Sequence, residues 1–120
     1  MFELSVTGDI ASAHFLRGYD GPCKDLHGHT WKIEVTVERD NLNDKGMVVD
    51  FIAIKKQLRE FLSHIDHVCL NDLKYFKKAN PTTENIAQYI YKEFAKVIKP
   101  LKIKRVRVWE SESSSVTYFE

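Results

Sequence analysis

The 120-residue chain has only two cysteines, Cys23 and Cys69. That is too few for a disulfide framework, so a reducing, cytoplasmic setting is the default expectation. It has no excess of positive charge: 18 basic residues face 17 acidic ones, for a net charge of +1. A protein that grips a phosphate backbone normally shows a clear basic surplus, so a nucleic-acid partner is disfavoured. No apolar run approaches the roughly 18 residues of a membrane span. Met1 to Ser5 shows neither the basic nor the apolar region of a signal peptide. Repeats, low-complexity tracts and interdomain linkers are also missing, the longest polar cluster being Ser111 to Ser115. What remains is ordinary globular composition, 43% hydrophobic and 29% charged. A chain of this length buries roughly 65% of its unfolded surface, enough for one core. A single domain over residues 1–120 is expected.

Leu4 to Phe15 carries β-type residues with a weak period of two, and predicts one or two strands. Gly18 to Pro22 is a loop. From His27 to Val37 the alternation is clear: His27, His29, Trp31, Ile33, Val35 and Val37 share one face, and Thr30, Lys32, Glu34, Thr36 and Glu38 the other. Asp50 is placed to cap a helix beginning at Phe51, with the stripe Phe51, Ile54, Leu58, Phe61, Leu62 and Ile65. Thr82 is placed to cap a second, with Glu84 in its first turn and the stripe Ile86, Ile90, Phe94, Val97 and Ile98 ahead of Pro100. Ile103 to Trp109 and Val116 to Phe119 predict two more strands. Strands, two helices, then strands define an α+β domain with helices on one face of a largely antiparallel sheet.

The chemistry concentrates in Cys23-Lys24-Asp25-Leu26-His27-Gly28-His29. Side chains at i and i+2 of a strand point the same way, so His27 and His29 can reach one metal ion. Their parity with Trp31 turns them inward, where unpartnered imidazoles are unfavourable and ligation answers the need. A hydrogen-bonded pair near a strand end is the competing account. His14 lies in a β-like run beside small residues and is a candidate third ligand. Three histidines with an open fourth position describe catalytic zinc, about one ion per chain. Cys23, four residues before His27, is either a fourth ligand closing a structural site, a thiolate near the metal, or an inert thiol. Asp66-His67 pairs a carboxylate with an imidazole, a proton-transfer arrangement, although adjacent residues often diverge. Glu110 continues the parity of Val106 and Val108 and can meet a cationic or amidine-like group where the strand ends, or simply face solvent. Lys104, Arg105 and Arg107 read as a solvated basic face that a triphosphate can use. Cys69 and His64 carry no functional signal.

In order along the chain come Ser12-Ala13-His14, Cys23-x-x-x-His27-Gly28-His29, Gly46-Met47-Val48-Val49-Asp50-Phe51, Asp66-His67 with Leu70-Asn71, Asn80-Pro81-Thr82-Thr83-Glu84, and Glu110. This ordered set resembles the 6-pyruvoyl-tetrahydropterin synthase family, and most of all its bacterial 6-carboxytetrahydropterin synthase branch. The resemblance runs from about Ile10 to the C-terminus. It implies the tunnelling fold, a four-stranded antiparallel sheet with two helices on one face, assembled into homo-oligomers, a hexamer being expected, with sites at subunit interfaces. It implies zinc on His14, His27 and His29, and Cys23 as the thiol base. It further implies Asp66 and His67 as a proton-transfer dyad, Glu110 as pterin anchor and member of the relay, and Thr82, Thr83 and Glu84 lining the pterin pocket.

The substrate implied is 7,8-dihydroneopterin triphosphate, with zinc acidifying its side chain. The products are 6-carboxy-5,6,7,8-tetrahydropterin, acetaldehyde and triphosphate, on the way to 7-deazapurines such as queuosine. Elimination to the 6-pyruvoyl pterin is the alternative within the family. A non-catalytic module, its zinc closed in by one cysteine and three histidines, is the alternative outside it.

Overall fold

The computed structural model describes all 120 residues. Strand β1 (Phe2–His14) pairs antiparallel with β2 (His27–Arg39). Helices α1 (Phe51–Leu62), α2 (Lys74–Lys78) and α3 (Thr83–Val97) follow, then β3 (Lys102–Ser111) and β4 (Ser114–Tyr118). The four strands lie in the order β1-β2-β3-β4, every pair antiparallel. The α+β class and the four-stranded sheet are as the sequence predicts. The first β-like run forms one strand of 13 residues.

The differences from the predicted elements have local causes. The third helix, α2, spans five residues, too few to show a period; it buries Phe76 alone. Strand β4 begins at Ser114, two residues before the apolar signal at Val116, because Ser111 pairs with Ser114 across the hairpin. Phe51 and Val97, counted in the apolar stripes, are 56% and 47% exposed, since each lies at the margin of its helix's packed face. Thr36, assigned to the polar face of β2, is buried; its hydroxyl is paired with that of Ser5 at 2.7 Å, beside a register shift between Thr36 and Val37.

The helix caps form as expected. Asp50 accepts from the Ile52 N–H at 2.8 Å, and Thr82 from the Asn85 N–H at 3.1 Å. Such caps contribute about 1 kcal/mol each. A 21-residue apolar core fills the space between sheet and helices, with Trp31, Ile33, Val35 and Val37 from β2 facing Ile54, Leu58, Ile86, Ile90 and Phe94. One end of this layer is not apolar. There β1 finishes, β2 starts, and histidines replace the aliphatic side chains.

Candidate active site

Register builds the cluster. His14 pairs directly across from His27, and Ser12 from His29, so His14, His27 and His29 project from one face of two adjacent strands. Their rings form a triangle with centroids 4.5, 5.1 and 4.7 Å apart. Trp31 closes the inner side, edge-on to His14 and His29 at 4.9 and 5.1 Å. Glu110, near the end of β3, completes a group whose ligand atoms all lie within 4.8 Å of one another. These four side chains can hold a metal ion.

Hydrogen bonding fixes what each ring offers. His14 Nδ1 lies 2.7 Å from the Pro81 carbonyl, and His27 Nδ1 lies 2.6 Å from the Asp25 carbonyl. A carbonyl only accepts, so both Nδ1 atoms donate, and in the neutral ring both Nε2 atoms carry bare lone pairs. Those two Nε2 atoms face each other at 3.0 Å. Two lone pairs at that distance repel unless a proton or a metal ion lies between them, and burial disfavours the protonated His14 ring. Tetrahedral zinc with Zn–N near 2.0–2.1 Å sets its nitrogens roughly 3.3 Å apart. The third ring repeats the message: His29 Nε2 is buried and has no hydrogen-bond partner. Glu110 Oε1 is 3.1 Å from it, but that ion-pair contact lacks hydrogen-bond geometry. Burial lowers the pKa of both His14 and His29 from the usual 6.5, which favours the neutral, metal-binding imidazole. The donor set of three imidazoles and a carboxylate suits zinc.

The segment 80–83 supports this group residue by residue. The Pro81 carbonyl holds His14, Thr82 caps α3, and buried Thr83 donates its hydroxyl to Glu110 Oε2 at 2.8 Å. Glu110 therefore spends one oxygen on Thr83 and turns the other to His29. Among the residues expected to line a pocket, Thr83 touches the group, while Glu84 is exposed on the first turn of α3.

Cys23 lies outside the four-residue group, on a short 3-10 turn over Pro22–Lys24, half-buried and unpaired. The Asp66-His67 pair forms as expected, with His67 Nδ1 3.0 Å from Asp66 Oδ2. Neither side chain belongs to the group of three histidines and Glu110. The chain at 65–69 runs along the outer edge of β1: Ala11 N–H donates to Asp66 Oδ1 at 2.8 Å, His67 N–H to the Ala11 carbonyl at 2.7 Å, and Ala13 N–H to the Val68 carbonyl at 2.9 Å. His67, held at φ 56°, lines a shallow depression that also includes Ser12 and Ala13 of β1 and Gly28 and His29 of β2. The imidazole is 81% exposed there.

The Ala11 N–H, followed by His67, holds the Asp66 carboxyl below its usual 3.8. A lowered carboxylate pKa adds stability above the unfolded value and loses it as pH falls through the folded one. Asp66→Asn should therefore lower the melting temperature at pH 7. The deficit should close as the pH falls below 3.8, in thermal melts of both proteins across pH 2 to 7.

Sequence reasoning left several contributors unnamed. The carbonyls of Asp25 and Pro81 orient two histidines, and backbone acceptors have no signature in residue type. Asn71 and Asn80 appear only as motif letters, although Asn71 is a buried polar residue. The adjacency of Asn80-Pro81-Thr82-Thr83 was the available signal, a polar run leading into the first turn of α3.

A sheet-and-helix layer whose open end gathers three imidazoles and a carboxylate defines an α+β protein with a candidate metal site. The family model described as 6-pyruvoyl tetrahydropterin synthase matches residues 3–120, and the chain belongs to that family. It is 35% identical to the 6-carboxy-5,6,7,8-tetrahydropterin synthase of Bacillus subtilis, covering 98% of this chain and 84% of the relative. It is also 38% identical to the dihydroneopterin monophosphate aldolase of Pyrococcus furiosus, over 78% of this chain and 77% of that one. The solved 6-pyruvoyl tetrahydropterin synthase of Caenorhabditis elegans superposes with a TM-score of 0.88 at 24% identity, covering 99% of this chain and 95% of that one, which establishes the fold. No helix is long and apolar enough to cross a membrane.

Proposed function

We propose that the protein converts 7,8-dihydroneopterin triphosphate and one water to 6-carboxy-5,6,7,8-tetrahydropterin, acetaldehyde and triphosphate, at zinc held by His14, His27 and His29. The observation that carries the metal is the pair of Nε2 atoms facing each other at 3.0 Å with both Nδ1 atoms committed to carbonyls. The Bacillus relative's reaction supports the choice of product. Bound zinc supplies electron withdrawal from a coordinated substrate oxygen, which acidifies the neighbouring C–H.

The chain's own residues do the rest. The Cys23 thiolate removes a carbon-bound proton. Glu110, held by Thr83, orders the polar contacts around the reacting end, and Thr82 and Glu84 border the pterin. Asp66 orients His67 as the second proton carrier. Lying outside the four-residue group and largely exposed, His67 serves a site completed by another copy of the chain, in keeping with a homo-hexamer with interfacial sites. Two unpaired cysteines suit a reducing cytoplasm.

The test is to incubate zinc-loaded protein with dihydroneopterin triphosphate and identify products by mass. The carboxypterin with acetaldehyde is expected. The pyruvoyl pterin would move the chain to the other branch of its family. Turnover of dihydroneopterin monophosphate alone would replace this reading with the aldolase activity named for the Pyrococcus relative.

A further inference from the structure

Ladder pairing between β1 and β2 ends at His14 and His27, yet the chain beyond His14 keeps a strand-like hydrogen-bond alternation without a strand beside it. Asn71 Oδ1 accepts the Phe15 N–H at 3.0 Å, and Asn71 Nδ2 donates to the Phe15 carbonyl at 2.9 Å. Asn80 repeats the fork on Arg17, Oδ1 accepting its N–H at 2.9 Å and Nδ2 donating to its carbonyl at 2.8 Å. Each carboxamide reproduces one rung of an antiparallel ladder, in which a residue exchanges both backbone bonds with its partner. Backbone N–H only donates and C=O only accepts, so the orientation of both amides is determined.

Phe15 and Arg17 face the asparagines, and the residue between them faces the other way. There the Leu16 N–H donates to the Cys23 carbonyl at 2.9 Å. Cys23 has little else to locate it. Its turn buries no residue and has no side-chain cap, and the turn's own backbone bond is Lys24 N–H to the Gly21 carbonyl at 3.2 Å. The Arg17 guanidinium ties the same strip to the carbonyls of Phe76 and Ala79, so residues 15–17 are fastened to the 71–80 segment by side chains at both ends.

We propose that Asn71 and Asn80 are positioning residues for Cys23: as side-chain substitutes for a missing strand, they hold residues 15–17 extended so that Leu16 fixes the thiol-bearing turn beside the histidines. This rests on the proposed role of Cys23 as the proton-abstracting thiol. Neither asparagine touches the reacting atoms. Both act through Leu16, and a misplacement of about 1 Å at a reacting group can lower rate roughly a hundredfold.

The test uses the zinc-loaded, full-length protein carrying Cys69→Ser, so that iodoacetamide reports on Cys23 alone. In Asn71→Ala and Asn80→Ala, metal should stay near one per chain and KM within about twofold of the parent. Meanwhile kcat should fall at least tenfold, and the pH profile of Cys23 alkylation should depart from the parent's. Asn71→Asp and Asn80→Asp keep the acceptor and set a carboxylate against a carbonyl, so they should not rescue. Asn80 lies at the more exposed end of the ladder, so Asn80→Ala decides the matter should the buried Asn71 variant fail to fold. Parent-like kcat and alkylation profiles in Asn80→Ala, or a fall in kcat that only tracks lost metal, would overturn the proposal. Cys23→Ala separates the two readings. Normal turnover in that variant removes the thiol's catalytic role, while the alkylation profiles still decide whether the asparagines position it.

Discussion

His27→Ala or His29→Ala is expected to take bound metal from about one ion per chain to a small fraction of that and to abolish turnover, without unfolding the protein. The tautomers give the reason. With Nδ1 of His14 and His27 both donating to carbonyls, the only lone pairs these rings have left meet at 3.0 Å. His29 adds a buried nitrogen with no partner. An ion satisfies all three at once, and deleting one ring leaves two nitrogens and the Glu110 carboxylate, one oxygen of which is already held by Thr83, a weaker set than three imidazoles. The fold should survive, because His27 and His29, unlike His14, are only partly buried and truncating either leaves the apolar core intact.

The variants should keep the parent's far-UV circular dichroism and still melt cooperatively, at a lower temperature. A ligand that binds only the native state adds about 4 kcal/mol when its free concentration is 1,000 times its Kd, and that increment disappears with the metal. Chelating the parent should give the same folded, inactive species. Unfolding on chelation would instead identify a structural zinc module, whose folding free energy is its metal-binding free energy. A His29→Ala protein with full metal content and full turnover would remove the triangle from the mechanism.

How legible all this was in the sequence follows the range of each interaction. The alternation from His27 to Val37 showed which face of β2 is buried, because a strand's side-chain period is fixed by its backbone. It also turned His27 and His29 to the same side as Trp31. The place of His14 depended on register across 13 residues of β1, which no local pattern specifies; its run of small neighbours only made the pairing feasible. Asp50 and Thr82 announced their helices because a cap acts within three residues.

What stayed hidden acts at long separation through atoms every residue has. The Pro81 carbonyl is 67 positions from His14, and the Asn71 fork is 56 from Phe15. Asp66-His67 was readable as a pair and not as a location. Its place at the edge of the sheet comes from the pairing of 66–69 with β1, the kind of non-local contact that sequence periodicity does not encode.

Cys23→Ala should do the reverse of the histidine variants, retaining metal and losing turnover. The thiol is outside the group of four side chains whose ligand atoms lie within 4.8 Å of one another, so the coordination sphere does not need it. Its turn carries no buried side chain, so truncation opens no cavity in the core. Stability should therefore change by less than about 0.5 kcal/mol, as for surface substitutions away from special features. The rate should not be so tolerant. A positioned general base contributes roughly 10²–10⁴-fold. The thiolate is the form that accepts a proton, and a nearby cationic centre stabilises it. Cys23→Ser keeps the shape and replaces a thiol with a far weaker acid, so it should be nearly as slow as the alanine variant. Metal analysis beside single-turnover kinetics distinguishes the outcomes. Full metal with a near-parent rate would end the catalytic assignment of Cys23. Lost metal would make the thiol a fourth ligand, and a closed site of one cysteine and three histidines would replace the open one as the description of this centre.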